Sequence, residues 1–149
     1  MPVFGVIKFE RFFRTAAGLN VDKNDIKRFD SFVRDKLGDM ILMAEATARA
    51  NNRDLIYPQD LPITKGLQET MHAFRRMEPE LELAPILEQL AGYPPPNFTL
   101  TIETEQRLPA VVGGLALAVA RTFTIVDPQL TNPQSSDWER VFRLFDTLL

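Results

Sequence analysis

A helical repeat of apolar residues runs without a break from about residue 22 to residue 50 and constrains the fold more than any other feature. Its members recur mostly three or four residues apart, as one side of an α-helix requires. They are Ile26, Phe29, Val33, Leu37, Met40, Ile41, Ala44 and Ala48. Asp22 is a suitable N-cap, and Asn51 and Asn52 can end the helix. Phe32 and Met43 widen the apolar stripe, so this helix must pack on more than one face.

Two shorter helices flank the long one. Residues 6–17 carry an apolar stripe that stops at Gly18, which is placed to end the helix in a left-handed conformation. After a connector at residues 53–57, Asp60 can cap a third helix that has Pro62 in its first turn and continues to about Arg76. The first half therefore predicts a short, a long and a short helix.

The second half repeats this order less cleanly. Residues 83–90 predict a short helix, residues 93–97 a rigid proline-rich connector, and residues 98–102 a short strand. A long apolar segment follows at residues 104–124, and residues 137–149 form a last amphipathic helix. The pair Gly113-Gly114 lowers the helix propensity of the long segment, which indicates close backbone packing there.

This order predicts an all-α protein with a two-fold internal repeat. The first repeat spans residues 1–77 and the second, divergent repeat spans residues 78–149. A unit of this size buries little surface alone, so we expect the two repeats to pack as one compact unit, a monomer in solution. A four-helix bundle of unrelated topology is the structural alternative.

The charge is divided unevenly between the repeats. The whole chain has a net charge of −3, which argues against a generic nucleic-acid coat protein. Residues 1–77 contain 13 Lys and Arg against 10 Asp and Glu, whereas residues 78–149 contain 4 Arg against 10 Asp and Glu. The first repeat is therefore mildly basic (+3) and the second acidic (−6). Drift on a solvated surface explains such an excess about as well as a binding role does.

Catalytic chemistry is not indicated. The chain has no Cys and a single histidine, His72, which we interpret as a packed or surface residue. Its clustered glutamates are typical of solvated helix faces, and no glycine-rich phosphate loop is present. No apolar run approaches the length of about 20 residues that a membrane span needs, and the first residues do not form a signal-peptide pattern. We therefore expect a cytoplasmic protein that is not an enzyme, with no catalytic residues, metal, cofactor or membrane contact.

The first half resembles a histone fold, specifically the small archaeal histones. Residues 11–21 are similar to that family's first helix and first loop, and its long helix aligns without a gap from Val21 to Arg53. Its second loop matches at Arg53, Ile56 and Asp60. The tandem arrangement also resembles a small bacterial family with two histone folds in one chain. This resemblance implies tandem histone folds, each a short–long–short helix repeat, packed as an intramolecular pseudodimer.

The resemblance also implies a candidate DNA-binding surface. Arg11, Arg14 and Arg53 are retained from the archaeal pattern, and Lys23 and Lys27 are additional cations on the same half. Arg53 and Asp60 would also form a bidentate clamp across the second loop, and a purely structural role for this clamp is favoured over a role in ligand binding. Arg121 and Asp127 would match it in the second half only with a shifted register.

Other positions depart from the archaeal pattern. Where that family places DNA-contacting residues in its two loops, this chain has Asn20, Asp54, Leu55 and Tyr57. Where the family stacks one dimer on the next, it has Thr47 and Ala50. Two hypotheses follow. The chain binds double-stranded DNA weakly and without sequence preference, in association with the nucleoid, or it is a protein–protein interaction module that has lost the DNA surface.

Overall fold

The computed structural model describes residues 3–91 and 99–149 and folds them into six α-helices without a β-strand. The helices are α1 (Val3–Ala17), α2 (Lys23–Ala50), α3 (Lys65–Leu81), α4 (Ala84–Ala91), α5 (Ile102–Val126) and α6 (Ser135–Leu148). A short 3₁₀ turn, Pro58–Asp60, lies between α2 and α3. The prediction of an all-α protein is confirmed. The predicted connector at residues 93–97 and the first residue of the predicted strand lie outside the described residues.

The ends of α1 and α2 follow from local sequence. Gly18 adopts a φ of 64° after α1, and its N–H donates to the Arg14 carbonyl at 3.0 Å, as a left-handed helix end requires. The Asp22 carboxylate accepts from the Asp25 N–H at 2.8 Å, and the Asp25 carboxylate accepts from the Asp22 N–H at 3.0 Å. This reciprocal capping box fixes the first turn of α2, so the predicted N-cap at Asp22 is confirmed.

The predicted start and end of the third helix are wrong. Asp60 belongs to the 3₁₀ turn, and α3 is capped instead by Thr64, whose hydroxyl accepts from the Leu67 N–H at 3.1 Å. Asp60 cannot cap α3 because its carboxylate is occupied by Arg53 and by the Tyr57 N–H. The helix then continues past Arg76 to Leu81, so it crosses the predicted boundary between residues 77 and 78.

The predicted strand at residues 98–102 is also wrong for the part that is described. Leu100 forms a single parallel bridge with Ile56, and Ile102 is already the first residue of α5. The Ile56 N–H donates to the Thr99 carbonyl at 3.0 Å, and the Thr101 N–H donates to the Ile56 carbonyl at 3.1 Å. These bonds join the loop after α2 to the loop before α5.

A single apolar core is shared by helices from both halves of the chain. Phe13 of α1 contacts Phe29 of α2 and Trp138 of α6, with ring centroids 5.3 Å and 5.7 Å apart. Trp138 also packs edge-on against Phe123 of α5 at 4.7 Å. The ammonium of Lys36 on α2 lies 3.0 Å from a carboxylate oxygen of Asp146 on α6. The two halves therefore do not form separate cores.

Helix α5 is the central element and packs most extensively against α3. A Cβ placed on Gly113 would lie 2.6 Å from the Phe74 ring, and one on Gly114 would collide with the Met71 side chain. The close approach predicted at the glycine pair is thus confirmed, with α3 as the partner.

Helix α5 also corrects the expectation that no segment approaches the length of a membrane span. It is long enough and apolar enough to span a membrane by length and composition, with a mean hydropathy of 1.7 over its best window. Of that window 56% is buried inside the protein. Such burial is what the core helix of a folded helical protein shows.

Candidate functional site

Four of the five predicted DNA-contacting cations are exposed on the first two helices. Arg11 and Arg14 lie three residues apart on α1, and Lys23 and Lys27 lie four apart in the first two turns of α2. These spacings place each pair on one helix face. Within the described residues, none of the four forms an ion pair with an acidic side chain. They are therefore available to an external anion.

The turn that carries Lys23 is held by a partly desolvated carboxylate. Burial raises the pKa of Asp25, and the hydrogen bond from the Asp22 backbone opposes that rise. The Asp25 side chain is buried and completes the capping box, whereas Asp22, Lys23 and Lys27 are exposed.

Arg53 is placed differently from the other four cations. Its guanidinium makes a bidentate pair with Asp60, at 2.6 Å and 2.8 Å, and donates a third hydrogen bond to the Leu55 carbonyl at 3.2 Å. It also stacks on the Tyr57 ring, 4.2 Å from the centroid. The structure thus brings the two predicted clamp residues together, and most donor capacity of Arg53 is used inside the loop.

The clamp is electrostatically tight. Hydrogen bonding from Arg53 lowers the pKa of Asp60, and burial acts in the opposite direction. Hydrogen bonding to Asp60 likewise raises the pKa of Arg53. The pair stays charged at neutral pH and holds the loop before the 3₁₀ turn in one conformation.

The second half has no equivalent clamp among its described residues. Arg121 is exposed near the end of α5, and Asp127 uses a carboxylate oxygen to accept from the Gln129 N–H at 3.1 Å. In the described part of the chain no ion pair joins Arg121 to Asp127. Asp127 instead stabilises the turn that follows α5.

Sequence reasoning missed the contacts between loops from opposite halves. The Asn20 N–H, in the loop after α1, donates to the Thr131 carbonyl in the loop before α6 at 2.7 Å. Nearby, Arg28 of α2 donates to the Ser135 hydroxyl at 2.8 Å. The first of these bonds joins backbone atoms and the second joins side chains that are 107 residues apart in the chain. Neither leaves a local residue pattern, so the sequence offered no signal for them.

The described residues define an all-helical class of protein with one shared core. Hydrogen bonds join two pairs of loops from opposite halves. Among the described residues, the exposed cations Arg11, Arg14, Lys23 and Lys27 on α1 and the start of α2 have no acidic partner. The chain belongs to the domain family of unknown function DUF1931, whose model matches residues 9–146. An uncharacterised protein of Aquifex aeolicus (strain VF5) is 30% identical over 113 residues, which are 76% of this chain. The chain spans 66% of the length of that relative.

Two solved structures share the fold. A crystal structure of a Thermus thermophilus protein is 50% identical, covers 97% of each chain and superposes with a TM-score of 0.84. A crystal structure of an Aquifex aeolicus protein is 27% identical, covers 97% of this chain and 95% of its own, and also gives a TM-score of 0.84. The six-helix arrangement is therefore common to these proteins.

Proposed function

We propose that the chain is a non-enzymatic histone-fold pseudodimer that binds duplex DNA weakly and without sequence preference. The helix order supports the pseudodimer, since helices of 15, 28 and 17 residues are followed by helices of 8, 25 and 14. The loop contacts support it as well. The first loop of one half meets the second loop of the other at both Asn20–Thr131 and Leu100–Ile56.

The observation that carries the DNA proposal is the absence of acidic partners for Arg11, Arg14, Lys23 and Lys27 among the described residues. Exposed cations on helix faces bind phosphates without reading base sequence. Arg53 contributes by holding the second loop in place, since Asp60 takes up its guanidinium. With about four phosphate contacts, affinity should be low, and log K should fall with log salt with a slope of about −3 to −5.

The direct test is an electrophoretic shift of duplex DNA at about 50 mM salt. We expect wild-type protein to shift the duplex at micromolar concentration and the Arg11→Glu/Arg14→Glu variant to bind about tenfold or more weakly. A matched control is Arg140→Glu/Arg143→Glu, since these arginines are also exposed and three residues apart, but on α6. Failure of the wild type to bind, or equal weakening by the control, would overturn the proposal.

A second candidate function is a protein–protein interaction module, and an apolar groove favours it. The groove has a volume of about 340 Å³ and lies between the start of α3 and the ends of α5 and α6. It is lined by Ile125 and Leu148, which are 79% and 76% exposed. Exposed apolar patches of this kind mark interaction surfaces. Among the described residues, the one charged side chain in the lining is that of Arg121, so the groove itself calls for a helix with an apolar face. The basic flanks of that partner are proposed from the net charge of −6 on the second half.

Two binding assays, a DNA shift and a peptide capture, distinguish the two candidate functions. A salt-sensitive DNA shift supports the first. Absence of any shift, together with weaker capture of a basic amphipathic peptide by the Ile125→Ser/Leu148→Ser variant, supports the second.

A further inference from the structure

A second cationic site lies away from the first two helices. A pocket of about 440 Å³ opens between the 3₁₀ turn, α3 and α5. His72 and Arg75 enter it from α3, and Arg107 enters it from α5. Gln59 and Gln68 line it as well. Because His72 and Arg75 lie three residues apart on α3, their side chains share one face of that helix.

No carboxylate among the described residues lines this pocket. Within residues 3–91 and 99–149, neither Arg75 nor Arg107 forms an ion pair. The nearest acidic residue to Arg75 along α3 is Glu78, three residues on, and one of its carboxylate oxygens accepts from the Ala84 N–H at 2.9 Å. Along α5, Glu105 and Glu103 lie two and four residues before Arg107. Two arginines that line the same concave space, with no carboxylate among its described lining residues, are suited to an anion, because each guanidinium can donate a pair of hydrogen bonds to a phosphate.

The other lining residues of the pocket indicate which kind of phosphorylated molecule would fit. Leu61, Ile63 and Met71 give the pocket an apolar side. The two glutamine amides each offer donors and an acceptor, which suits the edge of a nucleobase. A volume of this size lies within the range that small-molecule sites occupy.

We propose that this pocket binds a nucleoside phosphate, with Arg75 and Arg107 on the phosphate, His72 as a further donor and the apolar wall against the base. The site stands apart from the proposed DNA surface, since it uses α3 and α5 instead of α1 and the start of α2. The shared chemistry is the phosphate group, so a DNA backbone phosphate is the alternative source.

The test is titration calorimetry of the full chain with ATP, AMP and inorganic phosphate, beside a duplex-DNA shift. We expect ATP and AMP to bind with a dissociation constant below about 1 mM, and inorganic phosphate to bind more weakly because it lacks a base. The Arg75→Gln/Arg107→Gln variant should lose nucleotide affinity by about tenfold or more. Its DNA shift should equal that of the wild type.

Two controls keep the test independent of folding and of the DNA proposal. Arg140→Gln/Arg143→Gln removes the same charge from α6 and should bind ATP as the wild type does. Bound ATP should raise the thermal midpoint of the wild type but not that of Arg75→Gln/Arg107→Gln. The proposal is overturned if neither nucleotide binds, if the double variant keeps its nucleotide affinity, or if that variant loses DNA binding alone.

Discussion

At the scale of single residues, the contacts of Arg53 distinguish two roles that its position in the sequence allows. The sequence marks it both as a DNA contact and as a loop clamp. In the folded chain its guanidinium is bidentate on Asp60, bonded to the Leu55 carbonyl and stacked on Tyr57. A guanidinium held in this way orders the loop and has few donors left for a phosphate. The neighbouring Asp54 and Leu55 are exposed.

The clamp predicts a pH-dependent contribution to stability. Hydrogen bonding from Arg53 lowers the pKa of Asp60, so the folded-state pKa lies below the unfolded one. The contribution is therefore present above the ordinary aspartate pKa of about 4 and is lost as the pH falls through the folded-state pKa. We expect Asp60→Asn to lower the free energy of unfolding by about 1–3 kcal/mol near neutral pH. Urea denaturation should show that the difference in unfolding free energy between the wild type and Asp60→Asn becomes smaller at about pH 3.

The matched control for this prediction is Asp54→Asn. Asp54 lies in the same loop but is exposed, so its substitution should change stability by no more than about 0.5 kcal/mol. A gap between wild type and Asp60→Asn that stays constant across the acid range would contradict the electrostatic account of the clamp.

At the scale of helices, the packing of α3 on α5 depends on two residues without side chains. Gly113 faces the Phe74 ring, and Gly114 faces Met71 and its backbone nitrogen. We expect Gly113→Ala to destabilise the protein by about 1–3 kcal/mol, because the added methyl group displaces a buried ring. Thermal or urea unfolding measures the effect directly.

Gly38 provides the comparison on α2. A Cβ there would meet nothing within 4 Å, so Gly38→Ala should raise stability by up to about 1 kcal/mol through helix propensity alone. If Gly113→Ala stabilised the protein as Gly38→Ala does, close packing against Phe74 would not explain why residue 113 is a glycine.

The helices differ in how far the sequence predicts them. Helices α1 and α2 follow from apolar spacing and end signals near Gly18 and Asp22, since those signals act within a few residues. The start of α3 was mispredicted because the competition for the Asp60 carboxylate is decided by Arg53, across the loop. Exposure of Arg11 and Lys27 was predictable from helical periodicity.

The pocket at Arg75 and Arg107 was not predictable in the same way. The two arginines are far apart in the chain and face the same space only after α3 packs on α5. Likewise, the sequence indicated a tight approach at Gly113-Gly114 but contained no local signal for which helix would approach.

At the scale of the whole molecule, both halves contribute to one core. Trp138 of α6 is fully buried against Phe13 of α1, and Phe32 of α2 stacks on Phe142 of α6 with centroids 4.2 Å apart. The partner that each half needs is therefore already on the same chain. Folding should not depend on association between chains.

This arrangement predicts a urea midpoint that is independent of protein concentration. Circular dichroism over a hundredfold dilution should give superimposable unfolding curves, and light scattering should report a folded monomer at the lowest concentration. A midpoint that rises with concentration, or helicity that is lost on dilution, would mean that the two halves do not complete each other within one molecule.

The packing of both halves of one polypeptide around a single core has a consequence for how the protein could meet a polyanion. Because the halves are fused, they cannot be shuffled between molecules as the subunits of a separable dimer are, so every copy keeps a +3 half beside a −6 half. Under the proposed DNA binding, each copy therefore offers one basic half to the polyanion, where a dimer of two identical basic halves would offer two.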